Sequence, residues 1–188
     1  TEFYRIAASP GQVVFLAGSE SQPVGLVRLD LATMKWDVLR LTRQVTIDRA
    51  YFSCPQEIEF PTENGLTAFG YYYPPTNPDY QASKDEKSPL LVMSHGGPTS
   101  ATGACLRLKI QYWTSRGIAV LDVNYGGSTG YGREYRERLN GQWGIVDVDD
   151  CCAGARFLAA QGRVDAKRLV FLVWRFLAPL AMTVCKWV

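Results

Sequence analysis

Apolar and polar residues follow two different rhythms along this chain. Through about residue 52, short apolar runs at 13–17, 24–31 and 36–41 are separated by polar turns. Strands of this length with short polar connections form an antiparallel meander. Because one meander cannot bury both of its faces, residues 1–52 are predicted to be part of a larger repeat array, such as one blade of a β-propeller. A sheet that belongs to the following domain is the alternative.

A second pattern begins at residue 53. Two runs of β-forming residues, 56–60 and 66–73, flank Asn64 and Gly65. Asn-Gly is a strong hairpin signal because both residues tolerate positive φ. The hairpin is therefore predicted to open a second domain, which extends over residues 53–173.

From Pro89 onward the chain alternates between strand and helix patterns. The order is strand 90–93, helix 105–116, strand 118–123, helix 147–160 and strand 169–173. Gly117 and Gly162 follow the two helices, as glycine often does at a helix end. Such alternation predicts right-handed crossovers and a mostly parallel sheet with flanking helices, so the fold class is α/β.

Composition excludes several classes of function. The 20 Lys and Arg residues against 18 Asp and Glu give a net charge of +2 without a basic block, so no nucleic-acid partner is expected. No metal and no cofactor is expected, because phosphate-loop, dinucleotide and zinc patterns are missing from the sequence. Asp147, Asp149 and Asp150 lie at a helix start, where carboxylates are stabilised without an ion. The five cysteines form no C-x-x-C pair, which favours free thiols and cytoplasmic localisation.

The sequence at the two ends of the chain indicates no membrane-spanning segment. The sequence opens at Thr1 without a secretory signal, and further residues upstream are expected. Residues 169–188 are strongly apolar, but Arg175, Pro179 and Lys186 interrupt them. A membrane span needs about 20 apolar residues with few or no charges. Residues 174–188 are therefore interpreted as an aberrant apolar tail.

Residues that follow the first two crossover strands indicate a site. They are His95, Gly96, Gly97 and Pro98 after the strand at 90–93, and Asn124 and Tyr125 after the strand at 118–123. Glycines directly after a strand let backbone N–H groups point into a cleft and receive a developing oxyanion. Simple chain reversal is the alternative for the glycines. His95 is interpreted as a hydrogen-bonding residue that fixes this loop, not as a catalytic base.

Ser128 lies in the run Gly126-Gly127-Ser128-Thr129-Gly130, which fits the nucleophile pattern Gly-x-Ser-x-Gly. We interpret Ser128 as a decoy for three reasons. Residues 131–136 are bulky and polar, whereas a nucleophile elbow precedes small and apolar residues. The only histidine, His95, precedes the serine, whereas α/β-hydrolases place histidine after it. The loop also comes one strand-helix unit too early. We therefore expect no alcohol paired with an imidazole in front of Gly97.

These features resemble the prolyl oligopeptidase family of serine peptidases, most closely its acylaminoacyl-peptidase and dipeptidyl-peptidase-like branch. The matching segments are 55–62, 72–75, 95–98, 124–134, 141–144 with 147–150, and 162–165. The resemblance implies an α/β-hydrolase domain after a β-propeller, and cleavage of short peptides through an acyl-enzyme. It also implies that the backbone N–H of Gly97 is one half of the oxyanion hole.

Two departures from the family pattern change the expected function. Gly126 stands where the family motif usually has arginine. From about Val170 the resemblance stops, and residues 172–178, where the elbow is expected, contain no serine. The chain is therefore predicted to be an incomplete α/β-hydrolase, truncated before the elbow, with no catalytic residue and no activity of its own.

Two alternatives to this hypothesis remain. One is a non-catalytic module that associates with an intact homologue through the apolar tail. The other is an esterase or lipase of the same fold, which the propeller-like residues 1–41 disfavour.

Overall fold

A computed structural model describes residues 2–83, 85–97 and 100–172. Two sheets are formed, with strand orders β1-β2-β3-β4 and β5-β6-β8-β7-β9. The strands are β1 (Glu2–Ser9), β2 (Gln12–Gly18), β3 (Gly25–Asp30), β4 (Trp36–Leu41), β5 (Gln56–Pro61), β6 (Thr67–Tyr73), β7 (Leu90–Ser94), β8 (Ala119–Asn124) and β9 (Leu169–Leu172). The helices are α1 (Leu108–Thr114), α2 (Arg133–Glu137) and α3 (Val146–Ala160), with 3-10 turns at Arg49–Tyr51 and Glu63–Gly65.

The first sheet is an antiparallel meander, as the sequence predicts. Its first strand, β1, is absent from the sequence prediction. A bulge between Tyr4 and Ala7 shifts the register of β1 against β2, and Arg5 within it has a φ of 45°. An extra residue in a strand breaks the two-residue alternation of side chains, so β1 carries no clear periodic signal.

The second sheet begins with the predicted hairpin. β5 and β6 pair antiparallel, and the turn between them holds Asn64 and Gly65 at φ 57° and 70°. β6 also pairs antiparallel with β8, whereas β7 lies parallel to both β8 and β9. The sheet is thus mixed, because the hairpin strands join the crossover strands at one side. All residues of β7 and β8 are buried, which explains their continuous apolar runs.

Helix α3 packs closely on this sheet. A Cβ atom at Gly154 would come within 2.8 Å of Leu121 Cδ2, so the glycine permits the close approach. Both crossover helices are followed by the predicted glycines in left-handed conformation, Gly117 at φ 82° and Gly162 at φ 69°.

Helix α1 is shorter than the predicted range 105–116, because the residues before it are held by the first sheet. The backbone N–H of Leu106 donates to the carbonyl of Ser19 at 2.7 Å. The N–H of Cys105 donates to Glu2 Oε1 at 3.0 Å. These residues therefore connect the two sheets rather than extend the helix.

The thiol prediction holds only in part. Cys54, Cys105 and Cys151 are free, whereas Cys152 is disulfide-bonded; Cys185 lies outside the described residues. Every helix in the described ranges is too short or too polar to cross a membrane. The cytoplasmic localisation and the domain boundary at 52/53 stay predictions. The tail 174–188 lies outside the described residues.

Candidate functional site

The candidate site lies where the carboxyl ends of β7, β8 and β9 meet. Ser94 at the end of β7 pairs with Val123 near the end of β8, and Met93 pairs with Leu172 at the end of β9. His95 and Asn124 therefore leave the sheet at the same edge. In α/β sheets this edge is where ligands bind. The expected elbow region, 172–178, starts here, but beyond Leu172 it lies outside the described residues.

His95 and Ser128 are in direct contact, so the expectation that no alcohol pairs with the imidazole is wrong. Nε2 of His95 lies 2.7 Å from Oγ of Ser128. Ser128 is fully buried, with 0% of its surface exposed. An alcohol thus lies beside the only imidazole of the chain, but this alcohol is buried.

The direction of the hydrogen bonds separates this pair from a nucleophile and its base. Ser128 Oγ donates its single proton to the carbonyl of Tyr125 at 2.7 Å, and that carbonyl can only accept. Nδ1 of His95 lies 3.4 Å from the carbonyl of Gly96, a much longer contact than the 2.7 Å at Nε2, so the shorter contact assigns the proton to Nε2 of His95, which donates to Ser128. A general base must offer the serine a lone pair, so His95 cannot activate Ser128 in this arrangement.

Tyr125 packs against His95 and reaches the glycine loop. The two rings are stacked, with centroids 4.5 Å apart and planes 24° from parallel. The Tyr125 hydroxyl donates to the carbonyl of Gly97 at 3.2 Å, and the carbonyl and Nδ1 of His95 each lie 3.4 Å away. Burial lowers the pKa of His95 below its usual value of 6.5, against a smaller opposing effect of the Gly96 backbone. The imidazole is thus neutral near pH 7.

Gly97 is exposed at the end of this loop. Its φ is 75°, and a Cβ atom built on it would have no neighbour within 4 Å. Gly96 is exposed as well. The backbone of these glycines therefore borders open space at the carboxyl edge of β7, while Pro98 lies outside the described residues.

Asn124 lies at the predicted place but faces the interior. Its side chain is 1% exposed. Oδ1 accepts from the N–H of Thr102 at 2.7 Å, and Nδ2 donates to the carbonyl of Thr102 at 3.0 Å and to the hydroxyl of Tyr131 at 3.0 Å. Asn124 therefore shapes the site by fixing the backbone around Thr102.

Beneath this loop lies an ion pair between a buried carboxylate and a partly exposed arginine, which sequence reasoning missed. Asp122 on β8 is 1% exposed and accepts from Arg107 Nη1 at 2.6 Å and from Thr102 Oγ1 at 2.6 Å. Burial raises the pKa of Asp122, and the charge of Arg107 opposes this rise. A carboxylate inside the apolar run 118–123 was the available signal, since buried charges need partners.

The glycine at the family's arginine position has a local explanation. A Cβ atom at Gly126 would lie 2.9 Å from Val146 Cγ1 and 3.2 Å from Arg138 Cδ. The N–H of Gly126 donates to Asp150 Oδ2 at 2.7 Å, and Arg138 donates to the carbonyl of Thr67 at 2.9 Å. Arg138 and Val146 thus occupy the space beside Gly126, so a longer residue there requires rearrangement. Asp150 serves this contact, and among the described residues no group of three or more acidic, Cys or His side chains could hold a metal.

Comparisons with known proteins agree with this geometry. The sequence model of the prolyl oligopeptidase family matches residues 105–172. A puromycin-hydrolyzing peptidase of Mycobacterium tuberculosis is 42% identical, with a TM-score of 0.88 over 90% of this chain and 26% of that one. The uncharacterized peptidase YuxL of Bacillus subtilis is 31% identical over 118 residues, 62% of this chain and 17% of the relative.

A further relative links the chain to the predicted branch. The acylamino-acid-releasing enzyme of Arabidopsis thaliana is 34% identical over 84 residues, 45% of this chain and 11% of the enzyme. This chain thus spans about a quarter or less of the length of these relatives. The strand order, the glycine loop after β7 and these matches agree: residues 105–172 match the prolyl oligopeptidase family of serine peptidases.

Proposed function

We propose that residues 53–172 form the oxyanion-hole side of a pocket that hydrolyses short peptides, and that the 188-residue chain alone has no peptidase activity. The first half of the proposal rests on Gly97. Its backbone is exposed between the loop after β8 and the end of β9, where a tetrahedral intermediate would need an N–H donor.

The second half rests on the single histidine. His95 donates to a buried serine, so no imidazole of this chain is available as a general base. The sequence after β9 also lacks the Gly-x-Ser-x-Gly pattern. Without nucleophile and base, an acyl-enzyme cannot form.

Activity-based labelling tests the prediction that the chain has no peptidase activity. The 188-residue chain is incubated with a fluorophosphonate probe and, separately, with chromogenic acyl-alanine and dipeptide substrates. The Mycobacterium tuberculosis peptidase, with puromycin as its substrate, serves as the positive control. We expect neither label nor turnover from this chain. Labelling that disappears in Ser128→Ala would overturn the proposal.

A chimera tests the role of Gly97. Residues 53–172 replace the matching segment of the Mycobacterium tuberculosis peptidase, which then supplies the missing catalytic groups. In this chimera, Gly97→Ala should lower kcat about a hundredfold, the effect of misplacing one oxyanion donor. Gly117→Ala is the matched control, because Gly117 also has positive φ and open space but lies at the opposite edge of the sheet. Equal losses in both variants would show that Gly97 has no special role.

One observation supports a second candidate function, association with an intact homologue without catalysis. The first sheet exposes large apolar side chains, among them Phe3, Trp36 and Val38, around a cavity of about 440 Å³. Exposed apolar patches of this kind commonly mark interaction surfaces. Co-elution of this chain with the Mycobacterium tuberculosis peptidase, lost in Trp36→Lys, would favour association.

A further inference from the structure

The backbone around Ser128 is fixed on three sides. The N–H of Ser128 donates to the carbonyl of Tyr125, that of Gly127 to the carbonyl of Tyr135, and that of Thr129 to the carbonyl of Ser100, each at 2.9 Å. Because Ser128 Oγ also donates to Tyr125, the hydroxyl oxygen has a fixed place and offers its lone pairs in a fixed direction. The run 126–130 is therefore a rigid support.

His95 is held against this support from two directions. Its Nε2 donates to Ser128 Oγ at 2.7 Å, which sets the rotation of the ring. Its face packs on the ring of Tyr125, which is 2% exposed. A buried donor that loses its partner costs more free energy than the bond itself contributes, so the ring has one favoured orientation.

The Tyr125 hydroxyl connects the support to the glycine loop. It lies 3.2 Å from the carbonyl of Gly97 and 3.4 Å from the carbonyl of His95. These two carbonyls lie on either side of the peptide that carries the Gly97 N–H. Gly97 has no side chain, and among the described residues a Cβ atom there would have no neighbour within 4 Å. The contacts on either side of this peptide are made by the Tyr125 hydroxyl.

We infer that Ser128 and Tyr125 are positioning residues, which act through His95 to hold the Gly97 N–H in the orientation that an oxyanion hole requires. The inference rests on the function proposed for Gly97, but the rigidity of the glycine loop can be measured in a chain that turns over no substrate. The Gly-x-Ser-x-Gly run thus contributes a rigid hydrogen-bond acceptor to the pocket instead of a nucleophile.

The single histidine makes the test direct. In the 188-residue chain labelled with ¹⁵N-histidine, one pair of ring nitrogen signals reports on His95 alone. We expect the proton on Nε2 and an Hε2 signal that exchanges slowly with water. We also expect a Gly97 amide order parameter of about 0.85, as in rigid backbone. A proton on Nδ1 in the unaltered chain would overturn the inference.

Two variants test separately the contact of Ser128 with His95 and the contact of Tyr125 with the glycine loop. Ser128→Ala should speed the exchange of Hε2 at least about tenfold and lower the Gly97 order parameter to about 0.6 or less. Tyr125→Phe should keep the slow Hε2 signal, because stacking and Ser128 remain, but should lower the Gly97 order parameter. If Ser128→Ala does not fold, Tyr125→Phe decides alone, and an unchanged order parameter would overturn the inference.

Ser53→Ala is the matched control. Ser53 is also buried and donates to a backbone carbonyl, that of Pro74 at 2.6 Å, but it has no contact with His95. This variant should leave both readouts unchanged. A low order parameter in Ser53→Ala would show that any buried serine has the same effect, which would also overturn the inference. If the chimera shows no effect at Gly97 while these signals behave as expected, the proposed function fails and the positioning network stands.

Discussion

The two sheets of this chain differ in what holds their strands in place. Every residue of β7 and β8 is buried, whereas every residue of β4 and nearly all of β1 are exposed. The second sheet has a core of its own, built with α3. The first sheet depends on hydrogen bonds between its strands and on its junction with Cys105 and Leu106. The site therefore lies on the part of the chain that is stabilised by burial.

Removing one leucine side chain from each sheet should give the largest difference in the free energy of unfolding. Leu121→Ala in β8 removes a fully buried side chain that packs between Gly70 and Gly154, and we expect a loss of about 4 kcal/mol. Leu39→Ala in β4, where Leu39 is 49% exposed, should cost less than about 1 kcal/mol. Urea unfolding followed by circular dichroism measures both, and similar losses would contradict the comparison.

The next largest effect is expected from the ion pairs. Arg107→Met leaves Asp122 buried without a cation and should cost about 2–3 kcal/mol near pH 7, less than for a fully buried pair because Arg107 is 37% exposed. Arg28→Met breaks the exposed pair with Asp37 in the first sheet and should cost less than about 0.5 kcal/mol.

The Arg107 effect should also depend on pH. Without Arg107 the pKa of Asp122 rises further in the folded state. The stability associated with a raised carboxyl pKa is present at low pH and is lost as pH rises through that pKa. The difference between Arg107→Met and the unaltered chain should therefore grow from acid to neutral pH, and a difference that shrinks would exclude this explanation.

A larger side chain where residues 105 and 106 meet the first sheet should destabilise the first sheet only. A Cβ atom at Gly18 would lie 2.9 Å from Cys105 Sγ and 3.0 Å from Val24 Cγ2, so Gly18→Val should cost about 1–2 kcal/mol. We expect faster hydrogen exchange in β1–β4 and unchanged exchange in β7 and β8. Leu39→Ala, at an exposed position of β4, is the control for the first sheet. Faster exchange in β8 would show that the sheets unfold together.

The smallest effect on the free energy of unfolding is expected from the titration of His95. Because burial lowers its pKa below 6.5, the unfolded chain binds the proton more readily than the folded chain. The corresponding stability is present above pH 6.5 and is lost as the pH falls through the folded pKa. His95→Gln keeps a side-chain N–H donor but does not titrate. Urea unfolding from about pH 7.5 to about pH 5 should therefore show a shallower loss for His95→Gln. A steeper loss for the variant would reverse the sign of the pKa shift.

Sequence reasoning succeeded where burial forces a pattern. β7 and β8 are covered on both faces, so their apolar runs were visible, and the glycines that end the helices marked the crossovers. β1 was missed because its bulge interrupts the alternation. The glycine loop after β7 was found from composition, since few residues other than glycine accept the φ of Gly97.

The contact of His95 with Ser128 had no local signal. The two residues are 33 positions apart, and only the parallel register of β7 and β8 brings them together. Order in the chain argued against Ser128 as a nucleophile, but the further expectation that Ser128 lies away from the imidazole was wrong. The hydroxyl proton of Ser128 points to the Tyr125 carbonyl, and this hydrogen bond makes Ser128 an acceptor toward His95.

The close approach of α3 at Gly154 links the core of this sheet to the pocket. α3 also carries Asp150, which accepts from the N–H of Gly126 at 2.7 Å. A single added methyl group at position 154 would push the helix outward and move that carboxylate with it. In a random-mutagenesis screen of the chimera with the Mycobacterium tuberculosis peptidase, Gly154 should therefore score like a residue of the pocket.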